Sequence, residues 1–415
     1  MRKPQNIERL YLDFDGFFAS VMQQAYPSLR GKPVGVVPFA GTDRTVVIAC
    51  SKEAKAKGCK NVMRVKDSLE LCPDLILVPQ EPDLYRRAHN ALISEISAVI
   101  PIDAIKSIDE ITCVLDTNQR KAPEKIGNQI QSRLAQYIGP HITCSIGFAA
   151  NRQLAKIAGK QNKPNGITVW HPHMMPAPLY PIPFDDVPGI GSRMQKRLYR
   201  LGITTMQSLL ATAPKQMRKI WNNVNGERLW YALHGYDIQA PESSRGMFGH
   251  GRVLPPDSRS LPKAKEIARL LLIKAGRRLR REGFYASRFF LYMAVRDGSW
   301  SQNLSLPVIN DDKAILMALE TLWASACQEL PAKITIYRVH VTLADLSRAE
   351  HRQIDMLLND DSERRKWEAV TQAMDGLNSK YSKTIVSMGI WNPPKGGNVG
   401  GKISFTRIPS ADDFW

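Results

Sequence analysis

Apolar positions recur along this chain with two periods, and the switches between them mark its elements. Residues 8–14 read as a short buried strand that ends at Asp15-Gly16, and Phe17, Phe18 and Ala19 open a helix running to about Gln24. Pro27, Gly31 and Pro33 break the pattern. Val34–Val37 and residues 45–49 resume as strands, followed by a lysine-rich helical stretch over 52–57. A long helix over 83–99 places Leu92, Ile96, Val99 and Ile100 on one face. Strands near 104–108 and 110–116, a helix at 122–138 opened by Pro123-Glu124, a strand at 142–148 and a helix at 150–160 complete the first half.

Setting aside 27–82 as a small insertion, the order is strand, helix, strand, strand, helix, strand, a ferredoxin-like arrangement. In that arrangement the first and third strands lie side by side, which predicts that Asp13 neighbours Asp109-Glu110. Pro172, Pro176, Pro178, Pro181, Pro183 and Pro188 stiffen the next connection and mark a boundary. A compact helical segment runs to about Tyr236, and a linker over 240–246 leads to a last α+β unit. That unit has strands near 247–254, 287–296, 300–306 and 334–343, with helices over 262–283 and 312–328. The predicted class is therefore α+β and multidomain. A further helix over 363–379 closes the pattern.

The 57 Lys+Arg against 39 Asp+Glu give a formal net charge of +18, which points to a polyanionic partner, nucleic acid before an anionic membrane. No apolar run reaches the roughly 18 residues of a membrane span. The N-terminal Met1-Arg2-Lys3-Pro4-Gln5-Asn6 has no apolar signal core, so the expected location is the cytoplasm. Cys50, Cys59, Cys72, Cys113, Cys144 and Cys327 form no Cys-x-x-Cys pair and read as reduced, partly buried thiols.

The chemistry concentrates in two acidic segments, Leu12-Asp13-Phe14-Asp15 and Ser107-Ile108-Asp109-Glu110. Carboxylates between apolar runs are costly unless a cation neutralises them. Asp13, Asp109 and Glu110 together supply the oxygen ligands that phosphoryl transfer with two divalent ions needs. Solvated turn acids are the alternative reading of either segment taken alone.

At these residues the chain resembles a known family. Leu12-Asp13-Phe14-Asp15-Gly16-Phe17-Phe18-Ala19-Ser20 resembles the first motif of the Y-family, or translesion, DNA polymerases, and Ser107-Ile108-Asp109-Glu110 their second. Cys144-Ser145-Ile146-Gly147-Phe148, continuing through Asn151, Leu154-Ala155-Lys156-Ile157-Ala158 and Lys163-Pro164-Asn165-Gly166, resembles a third. The resemblance covers roughly 8–345. It implies a ferredoxin-like palm (1–26 and 83–171) with inserted small fingers (27–82), a helical thumb (172–239), a linker (240–246), an α+β little finger (247–345) and a tail (346–415).

The resemblance also implies roles. Asp13, Asp109, Glu110 and the backbone carbonyl of Phe14 match the metal ligands, for two magnesium ions or manganese in their place. Asp15 matches a position that is not a direct ligand. Phe18 matches the steric gate against a ribose 2′-hydroxyl, with Phe17 beside it, and Lys163 matches a lysine on the incoming triphosphate. Lys52 and Lys55 stand where many members have Tyr and Arg to grip that triphosphate, a departure that looks like the branch containing the catalytic subunit of bacterial polymerase V. Lys55 supplies charge without the bidentate fork of an arginine.

Val187-Pro188-Gly189-Ile190-Gly191, followed by Arg193 and Lys196, resembles a helix-hairpin-helix turn, in which Gly189 and Gly191 let backbone N–H groups approach a DNA phosphate. The helix over 262–283 carries Arg277, Arg278 and Arg280 among many cations and reads as a second phosphate-binding element. Gln353, Ile354, Met356 and Leu357 resemble the bacterial sliding-clamp-binding peptide. The expected partners are primer–template DNA, deoxynucleoside triphosphates, the clamp and a regulatory accessory subunit, with no membrane. The expected activity is DNA-directed DNA synthesis across damaged template. Two other readings are a non-catalytic family member linking the clamp to repair proteins, and a nucleotide cyclase sharing the palm topology.

Overall fold

The computed structural model describes residues 1–38, 41, 43, 45–239, 244–348, 361–391, 408 and 410. Gln353, Ile354, Met356 and Leu357 lie outside the described residues. The chain divides into two compact units, the first Met1–Pro241 with Ile403–Ile408 and the second Glu242–Lys402 with Pro409–Trp415.

In the first unit, strand β1 (Arg9–Phe14) leads through a turn into helix α1 (Phe17–Ala25). The inserted segment holds strands β2 (Val34–Val37), β3 (Val46–Val47) and β4 (Ala49–Cys50), helix α2 (Lys52–Ala56), strand β5 (Met63–Arg64), helix α3 (Val65–Leu71) and strand β6 (Ile76–Pro79). Its three-stranded sheet runs β4-β2-β6, with β3 and β5 paired separately. Its small core includes Cys50, Cys59 and Cys72, three of the five buried thiols; Cys327 is exposed.

Helix α4 (Pro82–Ser97), strands β7 (Ala104–Ile105) and β8 (Glu110–Val114), helix α5 (Pro123–Tyr137), strand β9 (Cys144–Ala149), helix α6 (Arg152–Ala158) and strand β10 (Ile167–Val169) follow. The sheet order is β10-β9-β1-β8-β7, so β1 is central and antiparallel to both neighbours. This is the predicted ferredoxin-like order, extended by β10. Strand β7 is shorter than expected. The N–H groups of Lys106 and Ser107 both bond the carbonyl of Glu110, which closes a turn and places Asp109 in it.

Alternation along β1 separates the two faces of the sheet. Leu10, Leu12 and Phe14, with Ile111, Cys113, Ile146 and Phe148 from the neighbouring strands, enter one core with Leu92 and Ile96 of α4 and Ile130 and Leu134 of α5. Tyr11 points the other way, into a core with Leu154, Ala155 and Ala158 of α6. Asp13 shares the Tyr11 face, two residues on. Helices α7 (Ser192–Arg200), α8 (Met206–Leu210), α9 (Pro214–Trp221) and α10 (Val224–Leu233) then form a compact segment sharing that second core.

The second unit holds strand β11 (Met247–Val253), helix α11 (Leu261–Arg281), strands β12 (Phe284–Val295) and β13 (Gly298–Ile309), helix α12 (Asp312–Glu329), strand β14 (Ile336–Arg348) and helix α13 (Asp361–Lys380). Its sheet order is β11-β14-β12-β13. Phe289, Leu291, Met293, Val339 and Val341 bury one face under α11 and α12.

Helix α11 corrects one expectation. Arg277, Arg278 and Arg280 do not form an outward phosphate-binding row. Arg280 donates to Asp312 of α12 and Asp375 of α13 at 2.8 and 2.6 Å. Arg278 is 5% exposed and donates to the carbonyl of Gly249 at 2.9 Å. Arg277 donates to Thr384 at 3.0 Å and lies over the Trp391 ring at 5.3 Å. The physical reason is that α11 is apolar around most of its circumference, with Leu270, Leu271, Leu272, Ile273, Ala275 and Leu279 all buried. A helix wrapped on that scale turns its cations onto partners within the fold.

Candidate active site

Strand pairing assembles the carboxylates. Asp13 lies directly opposite Glu110 in the β1–β8 register, so their side chains rise from the same face. The N–H of Phe14 donates to the carbonyl of Asp109 at 2.9 Å, tying the two acidic segments together at the strand end. His89 of α4, 2% exposed, supports the same turn through Nδ1, 2.7 Å from the carbonyl of Ile108. A carbonyl only accepts, so Nδ1 carries the proton.

Each carboxylate has its own partners. Ser107 donates to Asp109 Oδ1 at 2.5 Å, yet burial, reinforced by Asp13 and Glu110, pushes Asp109 up to about 6. Lys163 donates to Asp13, whose carboxyl is nonetheless raised, because burial and the neighbouring Glu110 and Asp15 outweigh that ammonium. Lys156 Nζ lies 2.7 Å from Glu110 Oε1. Burial raises Glu110, but the hydrogen bond and charge of Lys156, with hydrogen bonds from Tyr11 and Asp13, hold it below the ordinary range.

Asp15 has a different task. It accepts from Thr143 at 3.0 Å, Ser145 at 2.7 Å and the N–H of Asn165 at 2.8 Å, so its oxygens are occupied joining β1 to β9 and the Lys163-Pro164-Asn165 turn.

Among the described residues, no three His, Cys, Asp or Glu side chains already converge as a cation cage. Two ammonium groups hold the acidic face instead. The donor set fits hard divalent ions: it offers carboxylate oxygen, and Asp109 and Asp13 are raised by burial and by the neighbouring acids, a cost that such ions would relieve.

Around the carboxylates, Gly16 opens α1 with φ 56°, a left-handed conformation, and a Cβ there would lie 3.1 Å from the carbonyl of Cys50. That same point is 3.7 Å from Lys55 Nζ, so Lys55 reaches the N-terminus of α1. Lys52 and Lys55 are both exposed on α2. Phe17 and Phe18 are 2% and 1% exposed, and the Phe18 ring packs on Tyr85 at 4.8 Å between centroids. The structure thus places Phe18 in the core rather than at an open surface. Gly189, Gly191 and Lys196 are exposed at the start of α7, where Gly189 has φ 104°.

Sequence reasoning passed over Lys156, Tyr11 and His89. Lys156 carried a signal: it sits among Leu154, Ala155, Ile157 and Ala158, all buried, where a cation needs a partner. His89 likewise lies on the apolar face of α4 with Tyr85, Leu92 and Ile96.

Comparison with known proteins identifies the family. The chain matches the impB/mucB/samB family over residues 12–160, its C-terminal domain over 245–356 and the IMS family HHH motif over 174–203. It is 30% identical to DNA polymerase IV 1 of Bacillus subtilis (strain 168), covering 91% of this chain and 92% of that protein. It is 33% identical to DNA polymerase IV of Pseudomonas aeruginosa (strain UCBPP-PA14) over 56% of this chain and 66% of that one. Among solved structures, the Y-family DNA polymerase chimera Dbh-Dpo4(243-245)-Dbh has a TM-score of 0.68 at 23% identity, covering 81% of this chain and 98% of that one. These relatives support the family and leave the likeness to the polymerase V branch an expectation. With the strand register that joins Asp13 to Asp109 and Glu110, they establish that the chain belongs to the Y-family of DNA polymerases.

Proposed function

We propose that this chain extends a DNA primer opposite template, damaged template included, by nucleotidyl transfer at Asp13, Asp109 and Glu110. The primer 3′-hydroxyl loses its proton to solvent and its oxygen bonds the α-phosphorus of a deoxynucleoside triphosphate, while the bond from that phosphorus to the oxygen bridging to the β-phosphate breaks, releasing pyrophosphate. The observation that carries this reading is the Asp13–Glu110 register with Asp109 one residue away. Two magnesium ions, or manganese, held by these carboxylates and the Phe14 carbonyl, would supply Lewis-acid activation of the hydroxyl and stabilisation of the leaving group.

The chain's own groups bind and orient the reactants. The N-terminus of α1, with Lys55 of α2 beside it, offers N–H groups and charge to a triphosphate, and Lys52 at the start of α2 adds charge. Lys163, once off Asp13, reaches the same anion. Exposed Gly189, Gly191 and Lys196 suit a DNA phosphate at the start of α7. In the second unit, the inward turn of the α11 arginines leaves the other face of the sheet as the surface for DNA, where Phe290, Tyr292, Ser301, Asn303 and Arg338 are exposed. We assign Phe18 the gate role on the resemblance, with Phe17 behind it. The sliding clamp at Gln353, Ile354, Met356 and Leu357, an accessory subunit, the polymerase V likeness and a cytoplasmic location belong to the same proposal. No helix among the described residues is long and apolar enough to cross a membrane.

Primer extension with magnesium tests the reading. The protein should extend a primer on template, and Asp109→Ala should stop extension while primer–template binding persists. An active Asp109→Ala protein would refute it. Extension also separates this reading from an adaptor without activity, and a cyclic nucleotide formed from a triphosphate without DNA would favour the cyclase.

A further inference from the structure

We infer that Lys156 is a positioning residue for Glu110, held as a fixed cation by α6 and the Tyr11 ring, whereas Lys163 is the cation that leaves. The inference rests on the carboxylate site proposed above.

The fixed placement begins in the sheet. Gly147 of β9 pairs with Tyr11 of β1. A Cβ on Gly147 would lie 2.0 Å from the carbonyl of Ala155 and 2.3 Å from the N of Gly159. No side chain fits, so the backbone of α6 rests on the strand, and this sets the height from which Lys156 reaches down. The start of α6 is pinned as well. Asn151 accepts from the N–H of Leu154 at 2.9 Å, while its amide donates to the carbonyls of Ala232 and Tyr236 at 2.7 and 2.9 Å. The helix is thereby tied at one end to α10 and along its length to β9.

From that platform the Lys156 ammonium stands 5.0 Å above the Tyr11 ring centroid and 2.7 Å from Glu110 Oε1. Tyr11 lies diagonal to Glu110 across the β1–β8 pairing, and that carboxylate, after burial, helps raise its phenol. An ammonium fixed by packing and seated over the Tyr11 ring holds the carboxylate opposite Asp13. Like charges directly opposite in a sheet repel, so Glu110 needs this restraint to stay in place. Lys163 differs. It follows α6 in the turn at 159–166 rather than within the helix, its side chain is 34% exposed, and its contact is to Asp13.

The test uses the full chain with primer–template, comparing Lys156→Met and Lys156→Arg with the parent. Three quantities are measured: Mn2+ binding by electron paramagnetic resonance, melting temperature, and the maximal single-turnover rate of one deoxynucleotide addition. For Lys156→Met we expect Mn2+ binding no weaker than the parent, because a repelling charge is gone, and an unchanged melting temperature. The rate should fall about 10- to 100-fold, the range for a displaced supporting partner of a metal ligand. Lys156→Arg should restore most of it. An unchanged rate overturns the inference, as does a joint fall of rate, Mn2+ binding and melting temperature, which would mark a merely structural ion pair. Asp109→Asn serves as the control: if it leaves Mn2+ binding intact, the carboxylate site itself is misassigned, whatever Lys156 does.

Discussion

Two clusters in this molecule use the same ingredients to opposite ends. In the first unit, Lys163 and Lys156 sit on Asp13 and Glu110, and all four side chains are 20–34% exposed. In the second, Arg280 sits between Asp312 and Asp375, with Arg280 10% and Asp312 2% exposed. The arginine fork matches two carboxylates at once and is walled in by three helices. The lysines are single point charges, each on one carboxylate, and Lys163, the more exposed of the two and outside the helix that holds Lys156, is the one able to exchange partners. Burial and donor geometry, not the charge balance, decide which cluster is a fastening and which can exchange partners.

The sharpest way to break this contrast is to remove one acid from the open cluster. Asp109→Ala should lower extension about 10^3-fold or more, since the stabilisation it supplies exists only with bound ions. Its melting temperature at neutral pH without divalent ions should not fall, because a carboxyl raised by burial is a net cost to the fold once ionised. The closed cluster should respond in reverse. Arg280→Ala leaves Asp312 buried without its main partner and should cost about 3–5 kcal/mol of stability, read by denaturant unfolding. Single-turnover rates of the molecules still folded should change little.

Phe18→Ala probes a residue the two readings place differently. Removing a core ring costs about 3 kcal/mol or more, and the gate assignment adds a rise in ribonucleotide incorporation. Destabilisation with ribonucleotides still fully excluded would leave Phe18 a core residue alone.

A pH series refines the contrast further. Asp109 is raised from the ordinary 3.8 to about 6, so folding favours its protonated form. Its stabilising contribution is present at low pH and lost as pH rises through about 6 in protein without divalent ions. Magnesium at neutral pH should recover melting temperature, while extension should fall as pH drops below about 6. The smallest effect belongs to Lys196→Ala. It should weaken primer–template binding modestly at every sequence and reduce the salt slope by about 1, as the loss of one phosphate contact predicts.

Much of this was legible in the chain itself. Alternation in Leu10-Tyr11-Leu12-Asp13-Phe14 sets Asp13 on the face opposite the larger core. The order of strands and helices placed it beside Asp109 and Glu110, as the register shows. The second half resisted. Arg277, Arg278 and Arg280 looked like a phosphate-binding row because their partners, Asp375, Thr384, Gly249 and Trp391, lie 29 to 114 positions away in sequence. No local pattern announces such pairings.

What the sequence determined alone is whatever depends on local period and short-range order: the strands, the helices, the class of fold and the acidic motifs. Tertiary structure decided which cations face inward. It lowered α6 onto Gly147 so that Lys156 meets Glu110, and it closed α11, α12 and α13 around Arg280. The physical reason is that a charge takes its role from distance, burial and the acids nearest it in space. Those are properties of packed elements, and residue order alone does not contain them.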